Sequence, residues 1–331
     1  MDNITHTLVG LMLSRAGFNS KNAPGEKAAP LMIMLAANAP DMDTFNVFTD
    51  NLRYLQVHRG YTHSLLFMPL VALVPLLLVK AFTRTRFTWL TLLTYAGCLI
   101  AVLSHLLLDW TNVYGIRLLM PLSAKWYRLD STDIVDPVIL GILLLAVAAP
   151  ALSGLVTSEM GGSKSRGSGR GWAWFALLGL LFYDTGRYVA HGRAISLIDA
   201  HNYRGAPAER ISAFPVRFTI MRWRGVVEGD GFIYEVPVDL SRDFDAAGGH
   251  TEYPAISSPA IDAARTTRTF QIFESFNQLP FWTILPVEDM VRVELLDLRF
   301  GSLQHPGFEA VAFVEPHGRI DRAYFSFGEI R

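Results

Sequence analysis

The chain has 331 residues, with 29 Lys and Arg against 30 Asp and Glu, so its balanced charge gives no reason to expect a nucleic-acid partner. Hydrophobic residues make up 51 % and charged residues 18 %, and the mean hydropathy is +0.27, values that suit a partly membrane-embedded protein rather than a purely soluble one. The only cysteine, Cys98, excludes an intramolecular disulfide and a cysteine-cluster metal site.

The first 190 residues predict an α-helical integral membrane domain of four to six spans. The opening "MDNITHTLVG" lacks a basic start, so no cleavable signal peptide is expected. Two apolar stretches, 4–16 and 28–39, are short for crossing about 30 Å of hydrocarbon, and they are interpreted as short spans, tilted spans or re-entrant elements. Longer stretches are predicted to span the bilayer at 65–82, 89–109, 137–157 and 172–190.

Basic residues in the linkers predict how this domain is oriented. If all six elements cross, the linkers 17–27, 80–88 and 158–171 share one side, and each carries lysine or arginine. The positive-inside rule makes that side cytoplasmic. The opposite side then receives the remaining loops and the C-terminal region, which predicts an extracytoplasmic location for both in a bacterial inner membrane.

From about residue 191 the composition changes to that of a soluble, mainly antiparallel β domain, 191–331. "RFTIMRWRGVVEGDGFIYEVPVDL" predicts two strands joined at the glycine-bearing "EGDG" turn. "FEAVAFVEPHGRIDRAYFSF" predicts a second hairpin that turns at "EPHGR". The segment "TRTFQIFESFNQLPFWTI" between them is expected to begin with a short helix.

Histidines and aspartates gather at the ends of the predicted membrane segments. In a helix, His105 and Asp109 share one face at i and i+4, so an imidazole and a carboxylate can bind one ion. In the six-crossing arrangement the whole set lies on the side of the C-terminal domain. A mixed nitrogen and oxygen set suits zinc, with manganese or iron as alternatives, and either one or two ions. The set comprises His6, Asp41, Asp43, His58, His63, His105 and Asp109.

Each of these signals has an ordinary explanation when taken alone. The His105–Asp109 pair is also typical of a salt-bridged helix end, and the aspartates of "PDMD" are typical of a helix stop or N-cap. His6 also suits an interfacial polar residue, and "HRGYTH" suits a turn with Tyr61 as an interfacial anchor. The hypothesis of a metal site therefore depends on their convergence in space.

The chain resembles the LexA-regulated, membrane-bound, metal-dependent hydrolases. The resemblance is carried, in order, by "MDNITHTLVG", "NAPDMD", "HRGYTHSLL", "SHLLLDWTNVYGIRLLMPLS" and "DIVDPV". That family is considered distantly similar to zinc phospholipase C and to zinc nucleases that cut single strands, whose helix-borne ligands include a His-x-x-x-Asp pair. The resemblance implies an integral membrane hydrolase, with His105 and Asp109 matching that pair.

These observations predict a metal-dependent hydrolase. The proposed metal ligands are His6, Asp41, His58, His63, His105 and Asp109, holding one or two Zn²⁺ ions. Asp43 is predicted to act as a general base or to orient a ligand. Arg59, like Arg117, Lys125 and Arg128, is a candidate for binding phosphate, although juxtamembrane basic residues commonly touch lipid headgroups.

A site at headgroup level favours a substrate that is already in the membrane, so the expected partners are membrane lipids and a lipid or lipid-linked phosphoester. Two other functions stay open. A divalent-cation transporter predicts ionisable residues near mid-membrane. A non-catalytic membrane protein with a structural metal site predicts an ion with no open coordination position.

Overall fold

The computed structural model describes residues 1–17, 27–159, 169–255 and 257–328. These residues form two compact units, and the chain passes between the units more than once. The first unit comprises Met1–Asp43, Arg59–His191 and Pro215–Ile220, and the second comprises Thr44–His58, Gly192–Phe214 and Met221–Arg331. Lys21, Lys164 and Arg166, which belong to two of the predicted cytoplasmic linkers, lie outside the described residues.

Helices make up the regular structure as far as residue 199. Two of them are 3₁₀ helices, and both carry residues of the predicted metal site. The elements are α1 (Asn3–Gly17), α2 (Ala29–Asn38), a 3₁₀ helix (Ala39–Phe48), α3 (Asn51–Val57), a second 3₁₀ helix (Tyr61–His63), α4 (Met68–Thr83), α5 (Trp89–Thr111), α6 (Pro137–Glu159) and α7 (Arg170–Asp199).

Helix α5 is the central element of the first unit. It begins with a capping box, in which the Thr88 side chain accepts from the third helical residue and the Thr91 hydroxyl accepts from the Thr88 amide. Apolar side chains of α2, α4 and α5 form one buried core that includes Met32, Leu76 and Leu106. This packing fixes the C-terminal end of α5, where His105 and Asp109 lie, against the end of α2.

Helices α1 and α2 approach each other closely at Gly10. A Cβ atom at position 10 would stand 2.9 Å from Cβ of Ala37 and 2.9 Å from Cα of Met34, closer than real Cβ atoms come to other heavy atoms. Small residues at such crossings let two helix backbones pack against each other. The lack of a side chain at position 10 is therefore required for this helix pair.

Among the described residues, one helix, α5, is long and apolar enough by itself to cross a membrane. The segment Asn51–His63, which contains α3 and the second 3₁₀ helix, satisfies the same criteria together with α4 (Met68–Thr83) if the two count as one interrupted span. Within α6, Pro137–Ser153 is a shorter apolar stretch. The structure thus gives a helical N-terminal region with one or two candidate spans. The total of four to six stays a prediction.

The second unit contains two four-stranded antiparallel sheets, so the predicted antiparallel β domain is confirmed. In the first sheet the order is β1-β2-β3-β4, and in the second it is β5-β6-β7-β8. The strands are β1 (Arg210–Pro215), β2 (Arg222–Gly229), β3 (Phe232–Asp239), β4 (His250–Glu252), β5 (Pro280–Val287), β6 (Met290–Asp297), β7 (Glu309–Val314) and β8 (Ile320–Ser326), with helices α8 (Pro259–Arg265) and α9 (Arg268–Phe276) between β4 and β5.

Both predicted hairpins are present at the predicted turns. Gly229 of β2 pairs with Phe232 of β3, which leaves Asp230 and Gly231 as the turn, and Gly231 has a φ of +73° that glycine adopts without a Cβ clash. Strands β7 and β8 turn through "EPHGR". The predicted short helix is α9, which buries Phe270, Phe273 and Phe276 against the second sheet.

An ion pair lies fully buried inside the second unit. Arg299 donates to both carboxylate oxygens of Asp297, and its Nη2 also donates to the carbonyl of Phe276 at 3.2 Å. The rings of Phe276 and Phe300 each lie 4.8 Å from the guanidinium carbon. Each charge of this pair is compensated by protein groups.

Candidate metal centre

Four buried side chains from three separate parts of the first unit meet at one point. Asp41 comes from the 3₁₀ helix that follows α2, His63 ends the second 3₁₀ helix, and His105 and Asp109 lie one turn apart on α5. One atom of each side chain lies within 4.8 Å of the other three. The predicted convergence of His63, His105 and Asp109 is therefore present in the structure.

The distances among these four atoms are those of ligands around one ion. The Nε2 atoms of His63 and His105 are 3.1 Å apart, and Oδ2 of Asp109 lies 3.4 Å from each of them. Oδ1 of Asp41 lies 3.4 Å from Nε2 of His63 and 3.6 Å from Nε2 of His105. Tetrahedral ligands with bonds of about 2.0–2.1 Å stand roughly 3.3 Å apart, so the geometry fits a zinc-like ion.

Hydrogen bonds on the far side of His105 determine which ring nitrogen faces this point. Nδ1 of His105 lies 2.7 Å from the carbonyl oxygen of Ala37, so Nδ1 carries the proton and donates it. The Nε2 lone pair is then directed toward the other three atoms. A carbonyl or carboxylate behind a histidine is the usual arrangement for a metal ligand.

A relay of two hydrogen bonds fixes His63 in the same way. The hydroxyl of Thr62 donates to Oδ2 of Asp43 at 2.6 Å, so its oxygen accepts from Nδ1 of His63 at 3.0 Å. The Asp43 carboxylate is itself positioned by the backbone amide of Arg59, which donates to it at 3.1 Å. Asp43 therefore lies behind a proposed ligand and is not one of the four side chains of the set.

The four-atom set consequently contains four electron-pair donors and no proton between them. Oδ1 of Asp41 and Oδ2 of Asp109 are buried and accept no hydrogen bond from any residue that the structure describes. Two lone pairs of imidazole face each other at 3.1 Å. Such an arrangement is unfavourable without a cation, because buried acceptors and charges need partners. The residues present fit a divalent metal ion.

The second oxygen of Asp109 has its own partners. Oδ1 lies 3.2 Å from Nη2 of Arg59, accepts from Nδ2 of Asn112 at 3.2 Å and contacts the amino group of Met1. Arg59 is buried, and its Nη1 donates to Asn112 Oδ1 at 3.0 Å. Positive groups therefore surround Oδ1, while Oδ2 is directed at the imidazoles.

His6 lies beside the four-atom set. Its ring stacks on that of His105 with centroids 3.7 Å apart, and its Nε2 lies 3.5 Å from Oδ1 of Asp109. Neither ring nitrogen makes a hydrogen bond with a described residue, although the side chain is buried. The structure thus brings His6 to the centre, against a ligand ring.

The remaining candidate residues are not among the four side chains of this set. His58 belongs to the second unit, where its ring stacks on Tyr54 with centroids 4.5 Å apart. Arg128 pairs with Asp130 at 2.6 Å, and Lys125 lies over the Tyr127 ring at 5.7 Å.

Arg117 follows Asn112 and Gly115, whose oxygens accept hydrogen bonds from Arg59. Its backbone amide donates to the carbonyl of Arg59, and its guanidinium carbon lies 4.9 Å from the centroid of Trp126. Burial lowers the pKa of this guanidinium, while Tyr114 and Asp43 act in the opposite direction. Arg117 is thus held on the same loop as Arg59's partners.

Four groups at the centre were not predicted from the sequence. They are the amino group of Met1, the hydroxyl of Thr62, the side-chain amide of Asn112 and the carbonyl of Ala37. Thr62 could have been found from its place beside His63 in "HRGYTHSLL", since hydroxyl residues next to a ligand commonly hold it. The carbonyl of Ala37 carries no sequence signal, because every residue has one.

The helical region thus combines a helix long and apolar enough to span a bilayer with a buried histidine–aspartate set able to hold a metal ion. The chain belongs to the YdjM inner membrane protein family, whose model matches residues 1–194. This match includes every residue of the four-atom set.

The chain is also similar to a protein of Bacillus subtilis (strain 168) described as "Uncharacterized protein YfhP". The two are 26 % identical over 325 residues, which is 95 % of this chain and 91 % of that protein. No solved structure matches the chain significantly. These matches place the protein in an inner membrane family, and they extend the similarity into the β-rich C-terminal region.

Proposed function

We propose that the protein is a membrane-bound, metal-dependent hydrolase that cleaves a phosphoester in a lipid or lipid-linked substrate. The observation that supports it best is the four-atom set of Asp41, His63, His105 and Asp109, whose separations of 3.1 to 3.6 Å suit one ion. An ion held there would supply Lewis acidity and hydroxide at neutral pH, the usual chemistry of hydrolytic metal sites.

One ion is proposed at the four-atom set. A second ion bridged by Asp109 would need its Oδ1 atom, but the guanidinium of Arg59 lies 3.2 Å from that atom. A divalent cation placed beside a buried guanidinium would be repelled strongly. Arg59 is therefore assigned to positioning the Asp109 carboxylate. Zinc is the first choice for two imidazoles and two carboxylates, and manganese or iron fit the same donors less specifically.

The protein groups around the proposed ion would orient its histidine ligands and bind the substrate. Thr62 and Asp43 hold His63 in the tautomer that presents Nε2, and the Ala37 carbonyl does the same for His105. Arg117 is the proposed contact for a substrate phosphate, because a guanidinium on the loop beside Arg59 can bind two phosphate oxygens.

The proposed location of the centre is the extracytoplasmic end of the membrane domain. The basic linker of Lys80, Arg84 and Arg86 precedes α5, whereas His105 lies 16 residues after Trp89, or about 24 Å along the helix. The positive-inside rule assigns the linker to the cytoplasm, so the far end of α5 faces the other side. A site at that depth is within reach of lipid headgroups, which favours a lipid or lipid-linked phosphoester.

A structural metal site is the second candidate, and one observation favours it. Structural zinc sites have four protein ligands, whereas catalytic sites keep a position for water. The hydrolase proposal requires the ion to accept water as a fifth ligand beside the four protein ligands.

The decisive experiment measures metal and turnover on the same preparation. The full chain is purified in detergent, its metal content is determined by plasma mass spectrometry, and phospholipids and lipid diphosphates are offered as substrates. The unaltered protein is expected to hold about one ion and to release a phosphorylated product. The His105→Ala/Asp109→Ala variant is expected to lose both.

The chain offers a matched control for that variant. His317 and Asp321 have the same spacing as His105 and Asp109, but both are exposed in the β7–β8 hairpin. His317→Ala/Asp321→Ala is expected to keep the ion and the activity. Metal retention in the His105→Ala/Asp109→Ala variant would refute the proposed centre. A bound ion without turnover on any phosphoester offered would favour the structural site.

A further inference from the structure

A long apolar groove lies between α4 and α5, at the end of these helices that is remote from the metal centre. Its volume is about 600 Å³, within the range of small-molecule sites. Its lining is almost entirely aliphatic and aromatic and includes Leu73, Leu76, Phe87, Trp89, Leu92 and Tyr95.

Cationic residues immediately precede Phe87, one of the lining residues of this groove. Arg84 and Arg86 lie on the loop that joins α4 to α5, both are exposed, and neither forms an ion pair with a residue that the structure describes. Lys80 holds this loop in place, since its ammonium group is buried and donates to the carbonyl of Arg86 at 3.0 Å. The loop thus carries two exposed arginines directly before Phe87, where the lining of the groove begins on this side.

The geometry points to a binding site for an anionic phospholipid, with the phosphate on Arg84 and Arg86 and an acyl chain in the groove. An ordinary lipid-facing surface does not need a concave volume of this size. The linker that carries them is the one that the positive-inside rule assigns to the cytoplasm, and the cytoplasmic leaflet is the one rich in anionic lipid. The arginines thus match the phosphate of an anionic phospholipid, and the apolar groove matches its acyl chain.

This lipid site is separate from the metal centre. Trp89 lines the groove, while His105 lies 16 residues further along the same helix, about 24 Å away. A lipid bound in the groove therefore cannot place its phosphate at His105, and the proposal does not depend on any hydrolytic activity. The lipid bound in the groove is expected to hold α4 against α5.

Native mass spectrometry of the delipidated full chain in detergent tests the proposal. Phosphatidylglycerol and phosphatidylcholine with identical acyl chains are added in equal amounts, and the lipid adducts are compared. We expect phosphatidylglycerol to be retained preferentially. Each arginine near a lipid phosphate contributes roughly fivefold to such a preference, so Arg84→Gln/Arg86→Gln should reduce it by at least tenfold.

Two matched controls make the result specific to the groove. Arg53→Gln/Arg242→Gln removes two exposed arginines of the second unit and should leave the lipid preference unchanged. Leu92→Trp fills the groove and should displace both lipids. Leu103→Trp introduces the same side chain on the same exposed helix face, about 16 Å further along and outside the groove, and should not.

Three results would overturn the inference. They are equal retention of the two lipids by the unaltered chain, an unchanged preference in the Arg84→Gln/Arg86→Gln variant, and equal displacement by Leu92→Trp and Leu103→Trp. Metal content measured on the same samples shows that the folded first unit is intact in each variant.

Discussion

Buried charge is handled differently in the two units of this protein. In the second unit, Asp297 and Arg299 are both fully buried, and each neutralises the other. In the first unit, Asp41 and Asp109 are buried beside two neutral imidazoles, and one oxygen of each accepts no hydrogen bond from a described residue. The first arrangement satisfies both charges with protein groups, whereas the second leaves one oxygen of each aspartate without a donor among the described residues. Burial of charge by itself therefore does not identify a ligand site; the balance of donors and acceptors does.

The largest expected effect comes from removing one charge of the four-atom set. Asp41→Asn places an amide where an ion needs an anionic oxygen, so metal affinity should fall by at least 100-fold. Isothermal titration of the metal-free protein with Zn²⁺ measures it. Asp297→Asn is the matched change in the second unit, and its metal affinity should equal that of the unaltered chain. Equal affinity in the Asp41→Asn variant would exclude Asp41 from the centre.

The second prediction concerns the buried ion pair of Asp297 and Arg299. Asp297→Ala leaves the guanidinium of Arg299 buried without its anion, which should lower the free energy of unfolding by about 3–5 kcal/mol. Arg299→Met/Asp297→Leu removes both charges and should recover most of that loss. Denaturant titration followed by tryptophan fluorescence provides the free energies. A double variant no more stable than Asp297→Ala would show that the pair stabilises by more than mutual neutralisation.

The third prediction tests the relay behind His63. Thr62→Val removes the hydroxyl that holds the ring, while its volume is kept, so metal affinity should fall by roughly 10- to 100-fold. Thr283→Val deletes a comparable hydroxyl in the second unit, which donates to Glu294 at 2.8 Å, and metal affinity should stay constant. The proposed relay is wrong if both valine variants bind Zn²⁺ equally well.

The smallest effect concerns Asp50, which caps α3 in the second unit. The backbone amide of Leu52 and, less strongly, Arg268 hold the pKa of Asp50 below its ordinary value. Its stabilising contribution is therefore complete above about pH 3.9, the unfolded pKa, and is lost as the pH falls through the folded pKa. Asp50→Ala should destabilise the helix by about 0.5–2 kcal/mol at neutral pH.

Hydrogen exchange of the α3 amides, corrected for intrinsic rates, measures this effect at pH 6 and pH 3. Acid should reduce protection in the unaltered chain and change it much less in Asp50→Ala. Ser258 caps α8 through an uncharged hydroxyl, so Ser258→Ala should weaken α8 equally at both pH values. An acid response of α3 that survives in Asp50→Ala would assign it to another group.

The sequence predicts the proposed metal ligands better than it predicts the groups that orient them. His105 and Asp109 follow from helical spacing, and His63 and Asp41 follow from their positions at segment ends. Asp41 and Asp43 are indistinguishable in "PDMD", because their different roles depend on where Thr62 and the amide of Arg59 lie in space.

The fold shows the same limit. Hairpins with a glycine in the turn were predictable, because glycine marks a backbone that other residues rarely adopt. The β5–β6 hairpin was not predicted, and its turn at Glu288 and Asp289 contains neither glycine nor proline. Glu288 has a φ of +52° there, so strand pairing on both sides outweighs a local preference.

The close crossing at Gly10 links helix packing to the chemistry of the centre. The residue that it abuts, Ala37, is the one whose carbonyl accepts the proton of His105 Nδ1. A methyl group added at position 10 would push α2 away from α1 and move the Ala37 carbonyl away from Nδ1 of His105. Gly10, which has no functional group, therefore helps to determine which nitrogen of His105 faces the four-atom set.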